Sequence, residues 1–407
     1  MKLFNPPRVP REQSTELELS TRYNGLPAIA SMVAMSNLGA LTMLMTPAFI
    51  AGYLSSGRLN NSEASTLTSV ELAGMTVAVI LTSLLIARVD RRACLAVGLL
   101  TAALGHLATI FVDAYPALVI TRIVAGVGVG IAYTVAVAAL SATRLPDRNF
   151  GIAITSNQLS VTLLLALLSW IGLDQGYRVV IGVVLAFTLL MGLGIGWFPR
   201  VAPLRAANDS DGRAHASSST LPGVLGLAGM FLFLVAVGEV WPFVGPIAQS
   251  HGVGAAAVGS ALAIAGLAGI GAGSFVSLIG SRFGRLVPLI FGTVGLACAM
   301  LTLLGASDGK SLVLSTSLIM FFWIFSIPYY LGSQSALDPS GRLAVLSSAM
   351  MPFGLAAGQA LVNSMIRGTG FSSTILASVV TFGLALVFTL LGIYLKVSPP
   401  FRRKMSS

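Results

Sequence analysis

The stretch that decides the fold is residues 118–142, LVITRIVAGVGVGIAYTVAVAALSA, an apolar run of helical length with one arginine, Arg122, near its start. Placing a guanidinium in hydrocarbon costs roughly 2.5 to 3.5 kcal/mol on insertion scales, so this helix is not expected to face lipid on every side. Gly126 and Gly130 stand one turn apart with Gly128 between them, and glycines at this interval let two helix backbones approach closely. The stretch therefore predicts a buried helix with a charged residue one turn before a tight helix crossing.

The composition excludes a soluble fold for most of the chain. Of 407 residues, 55% are hydrophobic and only 9% are charged, whereas soluble domains carry about 25% charged residues. The apolar runs have the length of membrane-spanning helices and lack the alternating polarity of barrel strands. Cys94 and Cys298 lie in separate runs and the three histidines are scattered, so no metal site is expected. We therefore expect an all-α integral membrane protein without a cofactor.

The apolar runs divide into twelve predicted spans, which form two halves of six. A polar segment rich in Ser, Ala and charge separates the halves and is typical of a flexible linker. The expected organisation is a cytoplasmic tail (1–26), an N-terminal six-helix bundle (27–198), a cytoplasmic linker (199–221), a C-terminal six-helix bundle (222–397) and a second cytoplasmic tail (398–407). The spans are predicted at 27–52, 64–87, 93–112, 116–142, 149–172, 177–198, 222–249, 254–280, 286–305, 311–335, 342–366 and 371–395.

The distribution of positive charge predicts the orientation, because Lys and Arg are retained on the cytoplasmic side. With both termini inside, nineteen of the 24 Lys and Arg residues lie in cytoplasmic segments, four lie in outer loops, and Arg122 lies within a span. The net charge of +10 therefore indicates topology and not nucleic-acid binding. We expect a monomeric, multi-pass protein of a plasma membrane, namely a bacterial inner membrane.

The sequences of the two halves also indicate an internal repeat. A shift of about 195 residues sets Pro47 against Pro242 and Gly74 against Gly269, and the basic loop after the second span of each half coincides as well. Parallel repeats that enclose a site near the midplane are the architecture of alternating-access carriers. The sequence thus predicts a carrier with its site between the halves.

The motifs resemble those of the major facilitator superfamily of secondary transporters. The run RIVAGVGVG (122–130) is similar to the fourth-helix motif of that family, and SRFGR (281–285) is similar to its Asp-Arg-x-Gly-Arg loop. The copy at 87–92, ARVDRR, keeps the basic residues but has Ala87 for the usual Asp and Asp90 for the usual Gly. The resemblance implies that these loops latch the halves on the cytoplasmic side, with gating residues Arg88, Asp90, Arg91, Arg282, Gly284 and Arg285.

Glu71 and Arg122 are the first candidates for the chemistry of transport, because an ionisable residue in a span needs a partner or water. Both lie at a similar depth below the outer ends of their spans, so the two can pair. A carboxyl held between burial and a guanidinium can take up a proton on one side and release it on the other. A fixed salt bridge that only ties helices together is the alternative reading. His106, in the third span, is interpreted as a packing histidine.

Glu239 is the best single candidate for the substrate or proton site. It lies near the middle of the seventh span, beside Trp241 and just before Pro242 and Pro246. Each proline removes a backbone donor and tends to break the helix, which leaves carbonyl groups free to face a cavity. A purely structural hydrogen bond is the alternative role for Glu239.

Uncharged polar and aromatic residues complete the predicted site. Amide side chains both donate and accept hydrogen bonds, which suits a polar ligand, and aromatic rings stack on flat or apolar groups. The remaining candidates for substrate binding or proton coupling are Trp241, Asn37, Asn157, Gln158, Gln334, Gln359, Asn363 and Tyr329.

The leading hypothesis is a secondary active transporter that moves a small organic solute by alternating access, with proton-coupled uptake. Efflux of drugs or metabolites by proton antiport stays open, as does a non-transporting receptor or scaffold. The fifth span lacks proline, whereas drug antiporters of the resembling family carry a Gly-Pro pair there, which favours uptake. An enzyme is not expected, because no nucleophile, metal set or phosphate-binding loop stands out. The expected partners are the solute, protons and the lipid bilayer, and no nucleic acid.

Overall fold

The computed structural model describes residues 21–86, 88–172, 175–200, 220–279, 282, 284–338 and 343–397. The regular secondary structure of these residues is helical. Most of the predicted N-terminal tail, most of the linker and the C-terminal tail lie outside the described residues, as do Ala87, Ser281 and Arg342.

The helices follow the predicted spans, and several spans are broken into two pieces. Eleven helices of the described chain are long and apolar enough to cross a membrane. The predicted eleventh span falls in helical residues 344–369, which are not among those eleven. In chain order the helices are α1 (Leu26–Leu44), α2 (Thr46–Ser55), α3 (Asn61–Leu85), α4 (Arg91–Phe111), α5 (Tyr115–Ser141), α6 (Pro146–Ile171), α7 (Tyr177–Gly192), α8 (Thr220–Val240), α9 (Val244–Ser250), α10 (Ala255–Ile279), α11 (Leu286–Thr302), α12 (Gly309–Leu337) and α13 (Ala344–Val397), which is interrupted at Gly370.

The bundle has two sides, which we name by their loops. The distal side carries the loops at 56–60, 112–114, 251–254 and 306–308, and the linker side carries residues 88–90 and 142–145. Several helices begin at side-chain caps: the backbone N–H of Glu63 donates to Asn60 Oδ1 over 2.9 Å, and the N–H of Ser311 donates to Asp308 Oδ1 over 2.7 Å. These caps satisfy backbone donors that helix starts leave unpaired. The polar caps therefore fix where the distal loops at 56–60 and 306–308 end and a span begins.

Glycines set the packing of the N-terminal half around α5. A Cβ atom at Gly126 would overlap the carbonyl oxygen of Glu71 in α3, and one at Gly130 would lie 2.5 Å from the carbonyl oxygen of Met75. A Cβ at Gly128 would likewise overlap the backbone of Ala102 in α4. The tight crossing predicted from the glycine spacing is confirmed, and α5 packs closely against both α3 and α4.

The C-terminal half is packed by the same principle. A Cβ at Gly238 in α8 would lie 2.5 Å from the carbonyl oxygen of Leu355 in α13, and one at Gly358 would overlap the carbonyl oxygen of Val235. Such close approach maximises van der Waals contact, which is what holds helices together where lipid removes the hydrophobic driving force. Both halves therefore have a backbone-to-backbone core contact.

The outer surface of the bundle is apolar. Exposed side chains include Leu100, Leu163 and Val380, each at least 60% exposed. A continuous exposed apolar surface of this kind fits a hydrocarbon environment, so the described helices form a multi-pass membrane bundle.

Two distal loops of the N-terminal half and the start of α7 are joined by charge. Asp113 accepts from Arg58 over 2.6 Å and from Arg178 over 2.8 Å, and all three side chains are at least half exposed. Exposed ion pairs contribute about 0 to 1 kcal/mol each. This cluster therefore orients loops more than it stabilises the fold.

Candidate transport pathway

Arg122 lies at the centre of a buried charge cluster in the N-terminal half. Its guanidinium forms an ion pair with Glu71 through Nη2, and its Nη1 lies 3.1 Å from Nδ1 of His106. The guanidinium carbon is 5.7 Å from the ring centroid of Phe49, a distance at which a cation is attracted to an aromatic face. The side chains of Arg122 and Glu71 are 0% and 1% exposed. The ion pair that the sequence allows is thus formed and sealed from solvent.

The glycine crossing explains why these residues meet. Arg122 lies one turn before Gly126, and Gly126 packs directly on the backbone of Glu71. Taking two charges out of water costs several kcal/mol per ion and is repaid only by close geometry and further hydrogen bonds. A buried charge cluster of this kind is therefore a weak source of stability, and its membrane location favours a functional role.

The two halves are joined on the distal side by hydrogen bonds between α3 and α13. Thr68 Oγ1 donates to Gln359 Oε1 over 2.5 Å, and Asn363 Nδ2 donates to Thr66 Oγ1 over 3.2 Å. We call this contact the distal seal; it comprises Thr66, Thr68, Ser69, Ala356, Gln359 and Asn363. Ser69 Oγ adds a bond of 2.9 Å to the carbonyl of Ala356. The seal consists of uncharged groups, each bond worth about 0.5 to 1.5 kcal/mol net, so it can open and close.

Two broken helices meet beside the distal seal. The break between α1 and α2 lies at Met45, and the break between α8 and α9 is the 3₁₀ turn Trp241–Phe243. Pro47 and Pro242 occupy equivalent positions of the repeat, and each lacks the N–H that would continue the helix. Trp241 Nε1 donates to the carbonyl of Leu44 over 3.0 Å. The two breaks therefore contact each other across the halves.

The Glu239 side chain contacts another helix of its own half, the C-terminal one. The Thr381 hydroxyl lies 3.1 Å from Oε1 and 3.3 Å from Oε2 of Glu239, and Glu239 is 4% exposed. Thr381 belongs to the last part of α13, beyond Gly370. The helix break that the sequence predicts after Glu239 is present. The carboxylate of Glu239 is directed at the predicted twelfth span.

The amide residues fall into separate contacts. Asn37 Nδ2 donates to Ser156 and Ser160 over 3.2 Å each, and Ser36 donates to Asn157 over 3.4 Å, so α1 and α6 share a polar seam. Asn157 is half-buried.

The remaining two amides lie elsewhere. Gln158 is buried against Gly269 of α10, at the contact between the halves. Gln334 donates through Nε2 to the carbonyl of Gly223 over 3.0 Å and so joins α12 to α8. Gln158, Gln359 and Asn363 therefore lie at contacts between the two halves, whereas Gln334 and the polar seam lie within one half.

The aromatic residues divide in a similar way. Trp241 is fully buried, and its ring centroid is 5.9 Å from that of Trp323 in an edge-on contact. Tyr329 is 5% exposed, with its ring centroid 5.1 Å from that of Phe325. Phe325 in turn packs on Phe275 and Phe291 of the neighbouring helices. Most of the aromatic run in α12 thus packs between helices, and the tryptophan pair lies nearest the helix break.

The basic loops on the linker side bond to carbonyls of their own half. Arg91 Nη1 donates to the Tyr23 hydroxyl over 3.0 Å and to the carbonyl of Ala138 over 3.3 Å. Burial raises the pKa of Tyr23, so its phenol stays protonated and donates to the carbonyl of Ala139 over 2.8 Å. These contacts cover the end of α5, where the last carbonyls of a helix need donors.

The second basic loop makes an equivalent contact. Arg285 Nη1 donates to the carbonyl of Gly332 over 2.8 Å, and Gly284 has a φ of 67°, a left-handed conformation that favours glycine.

In the first basic loop, Asp90 caps α4 by accepting from the N–H of Ala93 over 2.9 Å. Arg88 and Arg282 lie in turns of these two loops. A latch between the halves through these loops stays a prediction for another conformation.

Sequence reasoning missed the hydroxyl groups of the site. Thr66, Thr68 and Ser69 contribute to the seal, and Thr381 contacts Glu239. Ser and Thr are common in membrane spans, because their hydroxyls can bond to a carbonyl of the preceding turn. Nothing in their spacing distinguishes them. The sequence predicts a packing role for His106, because its contact with Arg122 depends on how α4 and α5 cross.

Two helical halves that meet through hydrogen bonds, with an ion pair buried between apolar helices, are the arrangement expected of a secondary transporter. The chain belongs to the Major Facilitator Superfamily, whose family model matches residues 28–339. No curated protein sequence matches the chain.

Solved structures show the same fold. A D-xylose–proton symporter superposes with a TM-score of 0.69 at 16% identity, over 91% of this chain and 95% of that one. The xylose transporter XylE from E. coli in an inward-open conformation gives a TM-score of 0.68 at 15% identity, over 94% and 96% of the two chains. At this identity the likeness establishes the fold alone.

Proposed function

We propose that the protein imports a small polar organic solute together with protons by alternating access. The observation that carries the proposal is the distal seal, because it joins the halves through neutral hydrogen bonds that can be exchanged for water. The structure then corresponds to a state closed to the distal side, in which Trp241 and the broken helices contribute to the closure. Opening the seal would admit solute to the boundary between the halves.

Proton coupling is the second part of the proposal. Glu71 and Arg122 neutralise each other in a dry site, and Glu239 is a second buried carboxyl whose only described ionic or polar side-chain contact is with Thr381. Buried carboxyls within spans are the usual carriers of coupling protons. The coupling assigned here uses one carboxyl in each half.

The solute is proposed to be recognised by hydrogen bonds. Gln158 lies at the contact between the halves, and Asn37 and Asn157 join α1 to α6 next to it in the chain, so the amides of all three suit a ligand rich in hydroxyl or carbonyl groups. Glu71 and Arg122 are paired with each other, so in this state neither offers an unpaired charge to a charged substrate. The structural similarity to a D-xylose–proton symporter makes sugars the first class to test.

Reconstitution tests the proposal. Purified protein in liposomes is given an inward proton gradient and offered labelled D-xylose, other sugars, amino acids, organic acids and cationic dyes. The expected result is accumulation of one polar solute that a protonophore abolishes. Accumulation that is unaffected by collapsing the gradient would remove proton coupling from the proposal.

Efflux on the same fold is the second candidate function, with a non-transporting receptor or scaffold as the third. Deletion of the protein in its native cell separates them. Increased sensitivity to toxic amphiphiles would favour efflux, loss of growth on one nutrient would favour import, and neither effect together with inert liposomes would favour a receptor.

We also propose twelve spans with both termini cytoplasmic, in a monomer of a bacterial inner membrane, organised as tail, bundle, linker, bundle and tail with the boundaries given above. A single cysteine at Ser210 in the linker and one at Gly254 in a distal loop test this in a variant without Cys94 and Cys298. An impermeant maleimide added to intact spheroplasts should label Gly254→Cys and spare Ser210→Cys. The reverse pattern would invert the topology.

A further inference from the structure

His106 of α4 is a buried ionisable residue that the proposed coupling leaves without a role. It is 1% exposed, its Nδ1 faces Arg122, and its Nε2 is buried without a hydrogen-bond partner among the described residues. Its position follows from its neighbour Gly105, where a Cβ would lie 2.5 Å from the backbone nitrogen of Ala125 in α5. The close approach of α4 to α5 therefore brings the imidazole to the guanidinium.

The chemistry of this contact fixes the state of the imidazole. A guanidinium has five N–H donors and no acceptor, so Arg122 can only donate, and Nδ1 of His106 must offer its lone pair. A neutral imidazole then carries its proton on Nε2, and an imidazolium has no lone pair to offer. A proton on Nδ1 and the hydrogen bond from Arg122 exclude each other.

Among the described residues, Glu71 and Tyr53 are the other titratable groups that act on Arg122. Glu71 reaches Arg122 from α3, and Tyr53 of α2 packs on Tyr177 of α7, with the two tyrosine ring centroids 5.5 Å apart. Glu71 and Arg122 cancel in charge. A proton on His106 would therefore be the one uncompensated charge of the cluster.

The cluster lies directly behind the distal seal. Glu71 is three residues after Thr68 and two after Ser69, so the turn of α3 that bonds to α13 is the turn that ends at the ion pair. Arg122 links that turn to α4 through its two terminal nitrogens. A change in the contact of Arg122 with His106 therefore changes how the sealing turn of α3 is held.

We propose that His106 is a proton-binding residue of the carrier and that its protonation releases Arg122 and favours opening of the distal seal. This inference rests on the proposed proton coupling. The step is a proton transfer alone: a hydronium ion on the distal side gives H⁺ to Nδ1 and becomes water, and the hydrogen bond from Arg122 Nη1 is broken. When the proton leaves to the other side, the hydrogen bond forms again.

A labelling experiment tests the proposal without knowledge of the solute. Ser65 lies on α3 at the seal and is fully buried, so Ser65→Cys, in a variant without Cys94 and Cys298, reports opening through its rate of reaction with a maleimide. The rate is measured between pH 5 and 8 and divided by that of Gly254→Cys, which corrects for the pH dependence of the thiol itself. We expect the ratio to rise severalfold at low pH.

Matched histidine variants decide whether His106 is responsible. His106→Asn keeps an acceptor near the position of Nδ1 but cannot take up a proton, so the ratio should become independent of pH and stay at its high-pH value. His251→Asn, in a distal loop, should keep the full pH dependence. A ratio that titrates normally in His106→Asn, or one that is flat in the parent protein, overturns the proposal.

A second measurement does not depend on the folding of that variant. With His215 and His251 replaced by Asn, His106 is the one histidine left, and its ¹⁵N spectrum at pH 8 should show the tautomer protonated on Nε2. The tautomer protonated on Nδ1, or an imidazolium, contradicts the proposal. If liposomes accumulate a solute but His106 fails these tests, only this inference falls; if His106 passes and no solute is moved, the transport proposal falls.

Discussion

At the scale of single residues, the buried pair of Glu71 and Arg122 has two separable roles. Removing one member of a buried ion pair leaves an unpaired charge and costs about 3 to 5 kcal/mol, whereas replacing both members by apolar residues of similar volume is often neutral. Stability and transport should therefore respond differently to single and double substitutions.

Arg122→Ala should lower the thermal unfolding temperature in detergent because it strands the Glu71 carboxylate. The double variant Glu71→Leu with Arg122→Met should regain most of that stability. Transport in liposomes should be lost in both. A double variant that is stable and still transports would show that the pair only ties helices together.

Glu239→Gln should abolish gradient-driven accumulation and spare solute exchange, because the amide keeps the shape and the hydrogen bond to Thr381 but cannot carry the charge. Thr381→Val is the matched control: it removes the hydroxyl, keeps the carboxyl, and should retain accumulation at a reduced rate. Both are assayed with the same liposomes. Unaltered accumulation in Glu239→Gln would remove this residue from the mechanism.

Sequence reasoning was effective for residues whose chemistry is unusual in a membrane and weak for the rest. An arginine and two glutamates in spans are conspicuous because burying them is costly, so Glu71, Arg122 and Glu239 could be singled out. Their partners could not, because the direction of a side chain depends on how helices cross. Gln334 and Gln158 illustrate this: each is an amide in a span, yet one bonds within its half and the other lies between the halves.

At the scale of helices, glycine decides how close α5 comes to its neighbours. Gly126 and Gly151 are both helical glycines with negative φ, but a Cβ at Gly126 would overlap the carbonyl of Glu71, and one at Gly151 meets nothing within 4 Å. Helix propensity alone favours Ala over Gly by about 1 kcal/mol. The two positions therefore separate packing from propensity.

Gly126→Ala should destabilise the protein by about 1 to 3 kcal/mol, the usual cost of overpacking, while Gly151→Ala should be neutral or stabilising. Thermal unfolding in detergent measures both. Equal effects at the two sites would contradict the close crossing of α3 and α5.

The helix breaks are the second feature at this scale. Pro47 and Pro242 could be recognised from the repeat, and the breaks are present, but the indole bond that joins them depends on how the halves meet. Trp241→Phe removes that bond and keeps an aromatic ring. Trp323→Phe is the matched control, because the Trp323 Nε1 atom has no hydrogen-bond partner among the described residues.

Trp241→Phe should weaken closure of the distal side by about 0.5 to 1.5 kcal/mol, the net worth of one hydrogen bond, which corresponds to an increase of up to about tenfold in labelling of Ser65→Cys. Trp323→Phe should leave the labelling rate near that of the parent. If both variants label alike, the indole bond to Leu44 does not contribute to closure.

At the scale of the whole molecule, composition and the internal repeat were sufficient for the fold family. The density of apolar residues requires membrane-spanning helices, and the motif at 122–130 together with the repeated prolines indicates the superfamily, as the match over residues 28–339 shows. The conformation was not predictable, since a carrier sequence encodes at least two arrangements of the same halves. The hydrogen bonds of the distal seal identify the one described here.

The most direct measurement is a reversible cross-link of the distal seal. Ser69 Oγ lies 2.9 Å from the carbonyl oxygen of Ala356, so Ser69→Cys with Ala356→Cys, in a variant without Cys94 and Cys298, should form a disulfide between α3 and α13. Oxidation should stop transport by the double variant in liposomes, and reduction should restore it. The transport rate of each single-cysteine variant should not change on oxidation. Undiminished transport by fully cross-linked protein would contradict the claim that the halves separate on the distal side in every cycle.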